Sequence, residues 1–127
     1  MLGAAIAGPA TGHGGLGIDV EARTAVSPQV AERVLTPAER DWLPAPEWRT
    51  MVFCGKEAVY KAVYPLDGEF LGFSDVELDV DPDAGAFHAR CRRSFRSAGA
   101  VAAGCGYWAV YRAHWLVVFL IPRDAEA

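Results

Sequence analysis

One long amphipathic helix is the feature that most constrains the fold of this chain. Across residues 47–64 the apolar side chains recur every three or four positions, which is the period of one helix face. Pro65 and Gly68 follow and are typical of a helix end. A stripe of this length has to be buried, so the rest of the chain must supply a second layer. The stripe consists of Trp48, Met51, Val52, Gly55, Val59, Ala62 and Val63.

Beyond the helix the apolar period changes to two, which predicts β-strands. Val76, Leu78 and Val80 alternate with acidic residues, and a Pro-Asp-Ala-Gly turn separates this strand from its hairpin partner. A second hairpin closes the chain, and the small, glycine-rich residues 98–106 connect the two. The strands predicted in this part cover residues 75–81, 86–91, 107–112 and 115–121.

Before the long helix the pattern predicts two strands and two short helices. Ser27 and Thr36 are each followed by proline, and Glu39 completes a capping box with Thr36. The second short helix should end near Leu43. The order predicts a single α+β domain over residues 1–127, with one long helix and short helices packed on an antiparallel sheet. The strands predicted here cover residues 2–7 and 16–22, joined by a glycine-rich turn at residues 10–15.

Composition limits the possible partners and the cellular compartment. The chain has 127 residues, of which 52% are hydrophobic, and a net charge of -4 that argues against a general nucleic-acid surface. Three cysteines without CxxC spacing argue against a zinc site and favour a reducing, cytoplasmic compartment. We expect no membrane span and no signal peptide. A local basic cluster is interpreted as a solvated strand end rather than an anion-binding patch: Arg90, Arg92, Arg93 and Arg96.

Four charged residues form the candidate site. Asp19 and Glu21 share one face of a predicted strand, while Glu57 and Lys61 lie one turn apart on the long helix. The ordinary interpretation is a solvated strand face and a surface ion pair. If the helix crosses that strand, three carboxylates and an ammonium converge instead. Oxygen ligands without His or Cys suit Mg²⁺ bound to a phosphate-containing substrate, so both interpretations stay open at this point.

Two segments carry a resemblance to a known family. Residues 17–21 (GIDVE) and 53–62 (FCGKEAVYKA) resemble the two signature motifs of the 4′-phosphopantetheinyl transferase superfamily. The segment 70–77 (FLGFSDVE), Tyr64-Pro65 and residues 85–90 (GAFHAR) resemble its enterobactin synthase-associated branch. Cys54 stands where that family usually has Ser or Ala, and Gly55 where another small residue is common.

The resemblance implies a function and a role for each matching residue. Members transfer the 4′-phosphopantetheine arm of coenzyme A to a serine of an acyl or peptidyl carrier protein, with Mg²⁺. By position, Asp19, Glu21 and Glu57 would bind the metal. Glu57 would also act as the base and Lys61 as the partner of the leaving phosphate, so these two would be catalytic. Lys56 and Lys61 would bind the coenzyme A phosphates.

The resemblance covers only the C-terminal half of the two-half family architecture. A Ser-His motif that the family carries before its first strand of this half is absent. Three interpretations follow: a fragment that lacks its N-terminal half, a natural half that forms a homo-oligomer, or a catalytically incomplete module that binds a carrier or partner. In the first two cases we expect exposed apolar surface at the interface.

Overall fold

A computed structural model describes residues 13–123 of the chain, without the side chains of His13 and Asp67. The strand predicted at residues 2–7 lies outside the described residues. The elements are β1 (His13–Ala22), α1 (Pro28–Val34), α2 (Pro37–Trp42), α3 (Trp48–Asp67), a 3₁₀ turn (Phe73–Asp75), β2 (Val76–Asp81), β3 (Ala86–Cys91), α4 (Ala98–Ala103), β4 (Cys105–Tyr111) and β5 (His114–Pro122).

The strands form one five-stranded antiparallel sheet in the order β1-β5-β4-β3-β2. The long helix α3 packs on β1 and β5, and α4 packs beside it on β3 and β5. The predicted α+β class is therefore confirmed. The side chains of α3 that were predicted to face the core are buried, among them Met51, Val59 and Val63. None of the described helices is both long enough and apolar enough to cross a bilayer.

The backbone of β1 packs tightly against the backbone of α3. A Cβ atom on Gly17 would lie 1.9 Å from the carbonyl oxygen of Ala58, and one on Gly15 would lie 2.6 Å from the carbonyl oxygen of Ala62. Side chains of β1 on this face therefore begin directly under the helix. Asp19 belongs to the same face because strand side chains alternate.

The opposite face of the sheet divides into an apolar half and a charged half. On β1, β4 and β5 the side chains of this face are apolar except for His114, and the exposed fractions of Tyr107 and Tyr111 reach 46% and 55%. On β2 and β3 the same face carries charged or polar residues, including Asp79 and His88. We call the apolar half the open face: Leu16, Ile18, Val20, Cys105, Tyr107, Ala109, Tyr111, Leu116, Val118 and Leu120.

Several boundaries, and the structure of residues 98–103, differ from the sequence predictions. The prediction of a turn over residues 10–15 is wrong for residues 13–15, which belong to β1 and lie beside β5. Helix α3 continues through Pro65 and ends at Gly68, which has a φ of 71° and donates its N–H to the carbonyl oxygen of Tyr64. Residues 98–103 form α4 rather than a loop, because the burial of Ala100 and Val101 stabilises a segment too short to show a helical period.

Replacement of Gly17 by alanine tests the contact between β1 and α3. The added methyl group collides with backbone atoms of the helix, so we expect Gly17→Ala to lower the free energy of unfolding by roughly 3 kcal/mol or to prevent folding. Gly55→Ala is the matched control. Its methyl group meets the flexible end of Leu78, and the gain in helix propensity is about 1 kcal/mol. Urea unfolding measures the free energy of unfolding of both variants, and an equal change in the two would contradict the prediction.

Candidate functional site

An ion pair links the long helix to the first strand at the candidate site. The ammonium of Lys61 lies 2.8 Å from Asp19 Oδ1 and 3.3 Å from the carbonyl oxygen of Ile18. The Asp19 side chain is 10% exposed and that of Lys61 is 47% exposed. The hydrogen bond to Asp19 is the main cause that raises the pKa of Lys61. Lys61 therefore pairs across the helix–strand contact with Asp19, rather than along its own helix with Glu57.

The other two predicted acids lie within the electrostatic range of Asp19. The pKa of Glu57 is raised, first by burial and then by the charge of Asp19. The pKa of Glu21 is also raised, by burial, by Asp19 and then by Glu57. The positive charge of Lys61 lowers the pKa of both glutamates and so opposes these shifts. The structure thus places Lys61 against Asp19, with Glu21 and Glu57 close enough to interact electrostatically with the same carboxylate.

The donor set at this place suits a hard divalent cation. Asp19 Oδ2 is buried and has no hydrogen-bond partner. Carboxylate oxygens without nitrogen or sulfur ligands are the donors that Mg²⁺ prefers. Within residues 13–123, as the side chains are placed, no three His, Cys, Asp or Glu residues already surround a metal position. The unsatisfied oxygen and the mutual repulsion fit a bound cation, and the assignment of ligands stays a prediction.

An apolar cavity of about 250 Å³ lies beside Glu57. Its outer wall is the segment from Phe70 to Phe73, which follows the end of α3. Phe70 is 70% exposed, and its ring centroid lies 5.3 Å from that of Tyr60 on the helix. The cavity therefore has an exposed aromatic residue in its wall, and Glu57 is among the residues that line it. Its lining residues are Lys56, Glu57, Tyr60, Phe70, Leu71, Gly72, Phe73 and Val76.

Lys56, predicted to bind cofactor phosphates, points into the protein. Its side chain is 2% exposed, and its ammonium lies 2.8 Å from a carboxylate oxygen of Glu39. Two carbonyl oxygens, of Val34 and Phe73, accept its other protons at 2.6 and 2.8 Å. Burial lowers the pKa of Lys56, and Glu39 opposes that shift. In this arrangement the ammonium has no donor directed at the acidic site.

The arginine cluster is largely neutralised by ion pairs. Arg90 pairs with Glu77 and Arg93 with Asp75 at the surface. The side chain of Arg92 donates to the carbonyl oxygen of Ser74. These contacts favour the interpretation of a solvated strand end over that of an anion-binding patch.

Sequence reasoning missed two parts of this region. Glu39 was interpreted only as a capping residue, and the structure confirms its capping box with Thr36 but also buries it against Lys56. The only sequence signal for the aromatic wall around Phe70 is the family resemblance of residues 70–77. No periodicity or spacing signal connects these residues, because their contacts join segments that are distant in sequence.

Removal of the Asp19 charge should lower the pKa of both neighbouring glutamates. Because the folded-state pKa of Glu21 and Glu57 is raised, their ionisation opposes folding as pH rises above the ordinary value of 4.5, and this penalty is absent below it. Asp19→Asn removes the negative charge that, after burial, raises the pKa of both glutamates. Carbon-detected NMR titration should show both pKa values moving down. Unmoved values would contradict the electrostatic coupling.

Comparisons with known proteins agree with the motifs. A family profile for the 4′-phosphopantetheinyl transferase superfamily matches residues 15–108, more than half of the chain. The chain is 44% identical over 95 residues to 4′-phosphopantetheinyl transferase Svp of Streptomyces mobaraensis. It is 35% identical over 80 residues to 4′-phosphopantetheinyl transferase PptT of Mycobacterium tuberculosis. The alignments cover 69% and 59% of this chain but only 38% and 35% of these relatives.

Two solved structures have the same fold. Thermotoga maritima holo-[acyl-carrier-protein] synthase superposes with a TM-score of 0.64 and 24% identity, over 87% of this chain and 64% of that one. Holo-ACP-synthase from Plasmodium yoelii superposes with a TM-score of 0.57 and 16% identity, over 86% and 94% of the two chains. These matches do not distinguish between the branches of the superfamily. The resemblance to the enterobactin synthase-associated branch therefore stays a prediction. The chain belongs to the 4′-phosphopantetheinyl transferase superfamily.

Proposed function

We propose that this chain carries out Mg²⁺-dependent transfer of 4′-phosphopantetheine from coenzyme A to a serine of an acyl or peptidyl carrier protein. The single observation that carries the proposal is the convergence of Asp19, Glu21, Glu57 and Lys61 between β1 and α3. Superfamily membership supports the reaction class. The relatives that match over part of their length are named 4′-phosphopantetheinyl transferases.

The charged residues have complementary roles in this reaction. The serine oxygen forms a bond to the β-phosphorus, the pyrophosphate bond breaks, and adenosine 3′,5′-bisphosphate leaves. Serine is a weak nucleophile, so Glu57 accepts its proton, directly or through a water. The exposed ammonium of Lys61 stabilises or protonates the leaving phosphate. Mg²⁺, when bound, supplies charge neutralisation on the pyrophosphate, and Asp19, Glu21 and Glu57 would hold it.

The cavity beside Glu57 suits the pantetheine arm of the same substrate. Its walls are mainly aromatic and aliphatic, which match the branched methyl groups and the chain of the arm. Glu57 also lines the cavity, so an arm lying there would bring its phosphate close to Glu57 and the neighbouring Asp19. We therefore propose that Tyr60, Phe70 and Phe73 contact the arm.

A catalytically incomplete module is the second candidate. The chain spans little more than a third of the length of the curated relatives it matches, and the open face leaves apolar side chains such as Tyr107 exposed. This surface would be covered by a missing half or by another copy of the chain. Light scattering combined with coenzyme A titration separates the cases. Carrier binding without coenzyme A or metal binding would favour the module.

The free thiols of the chain support the proposed compartment. All three cysteines are unpaired, and Cys54 is buried in the core. We propose a cytoplasmic location on this chemistry.

Replacement of Glu57 by glutamine tests the proposed base. Transfer of a labelled pantetheine arm to a carrier protein, followed by mass spectrometry, should fall by about a thousandfold or more in Glu57→Gln, because the serine proton then has no acceptor. Glu32→Gln, on the exposed side of α1, is the matched control and should retain full activity. Removal of Mg²⁺ with a chelator should abolish transfer in both the natural protein and the control. Undiminished transfer by Glu57→Gln would exclude the proposed base.

A further inference from the structure

A buried ion pair lies directly beneath the proposed active site. The side chains of Lys56 and Glu39 are each 2% exposed, and their charged atoms lie 2.8 Å apart. An ammonium has three protons, and those of Lys56 are used by Glu39 and by the carbonyl oxygens of Val34 and Phe73. A phosphate could reach this ammonium only if one of these three buried bonds were broken.

The carboxylate of the pair is also fully used. One oxygen of Glu39 accepts from Lys56 and from the backbone N–H of Thr36 at 2.8 Å. The other accepts from the backbone N–H of Leu78 at 2.7 Å. Thr36 in turn donates its hydroxyl to Glu77 at 2.6 Å. Both charges are therefore satisfied by protein groups, which is the condition under which a buried ion pair persists.

The contacts of this pair join the wall of the cavity to the helix that carries the base. Phe73, whose carbonyl oxygen accepts from Lys56, is the last residue of the segment 70–73 that lines the cavity together with Tyr60. Lys56 immediately precedes Glu57 on α3. One ammonium thus fixes the distance between that wall and Glu57, while Glu39 connects the same point to Leu78 in β2.

We propose that Lys56 is a positioning residue that holds the Phe70–Phe73 wall against the helix bearing Glu57, and that it is not a ligand of the coenzyme A phosphates. The effect on substrate rests on the proposed function, since the arm is taken to lie in that cavity. The wall itself is held whether or not the chain is a transferase. Loss of the pair should therefore weaken binding of the pantetheine arm and leave binding of the nucleotide part unchanged.

The test uses the full 127-residue chain with the double substitution Glu39→Gln and Lys56→Met, which removes both buried charges together. Glu39→Gln with Lys56→Gln is a second, milder variant that also removes both buried charges but keeps an amide able to donate to the carbonyl oxygens, so it should fold if the first does not. The matched control is Glu32→Gln with Arg40→Met, at exposed positions of α1 and α2. Hydrogen exchange should become at least about tenfold faster at residues 71–73 in the double variant, while the middle of α3 keeps its protection.

Kinetics supply the readout that a general loss of stability would not give. We expect the KM for coenzyme A to rise about tenfold, with kcat within about threefold of the natural value. Affinity for adenosine 3′,5′-bisphosphate should be unchanged. In Glu39→Gln with Lys56→Gln the same changes should appear in weaker form, because the amide at position 56 can keep part of the bonding to the carbonyl oxygens of Val34 and Phe73.

Each outcome decides the proposal. If adenosine 3′,5′-bisphosphate binds about tenfold more weakly while exchange at residues 71–73 is unchanged, Lys56 is a phosphate ligand and the proposal is overturned. Natural exchange and a natural KM in both variants would also overturn it. If the natural chain shows no transfer at all, the proposed function fails, and the exchange data still decide whether Lys56 holds the wall.

Discussion

The contact between the backbone of β1 and that of α3 is the constraint on which the rest of the structure depends. Gly17 lets the strand lie directly against the helix carbonyl of Ala58, a distance that no side chain would allow. Asp19 follows on the same face and meets Lys61 from the helix. The acidic cluster is therefore a consequence of a close packing contact, because a helix displaced outward would separate these charges.

A second constraint works from the other side of the helix. The buried pair of Lys56 and Glu39 connects α3 to α1, α2, β2 and the cavity wall through backbone groups. Removal of one partner alone would leave a charge buried without compensation, which costs about 3–5 kcal/mol. Adjacent residues of one helix therefore have different surroundings: Lys56 is buried in an ion pair, whereas Glu57 lines the cavity.

The open face is apolar surface that the fold of this chain leaves uncovered. The helix-covered face contains the core and the charged cluster, but the apolar residues on β1, β4 and β5 remain partly exposed on the other face. An apolar sheet face of this kind marks an interaction surface. The curated relatives extend far beyond the aligned region, and the short Plasmodium yoelii holo-ACP-synthase is covered over 94% of its length. Both a further domain and a second copy are compatible with this surface.

The sequence by itself determined the fold class, the three helices before β2, the hairpins and the candidate acids, because periodicity, caps and short motifs are local signals. It could not place Lys56: a lysine beside a predicted base looks the same whether it faces solvent or the core. Only the tertiary structure decided that Lys56 pairs with Glu39 and that Lys61 pairs with Asp19. It also revealed α4 and the cavity wall. These features depend on contacts between distant segments, and a sequence pattern records which residues are apolar or charged but not which partners they meet.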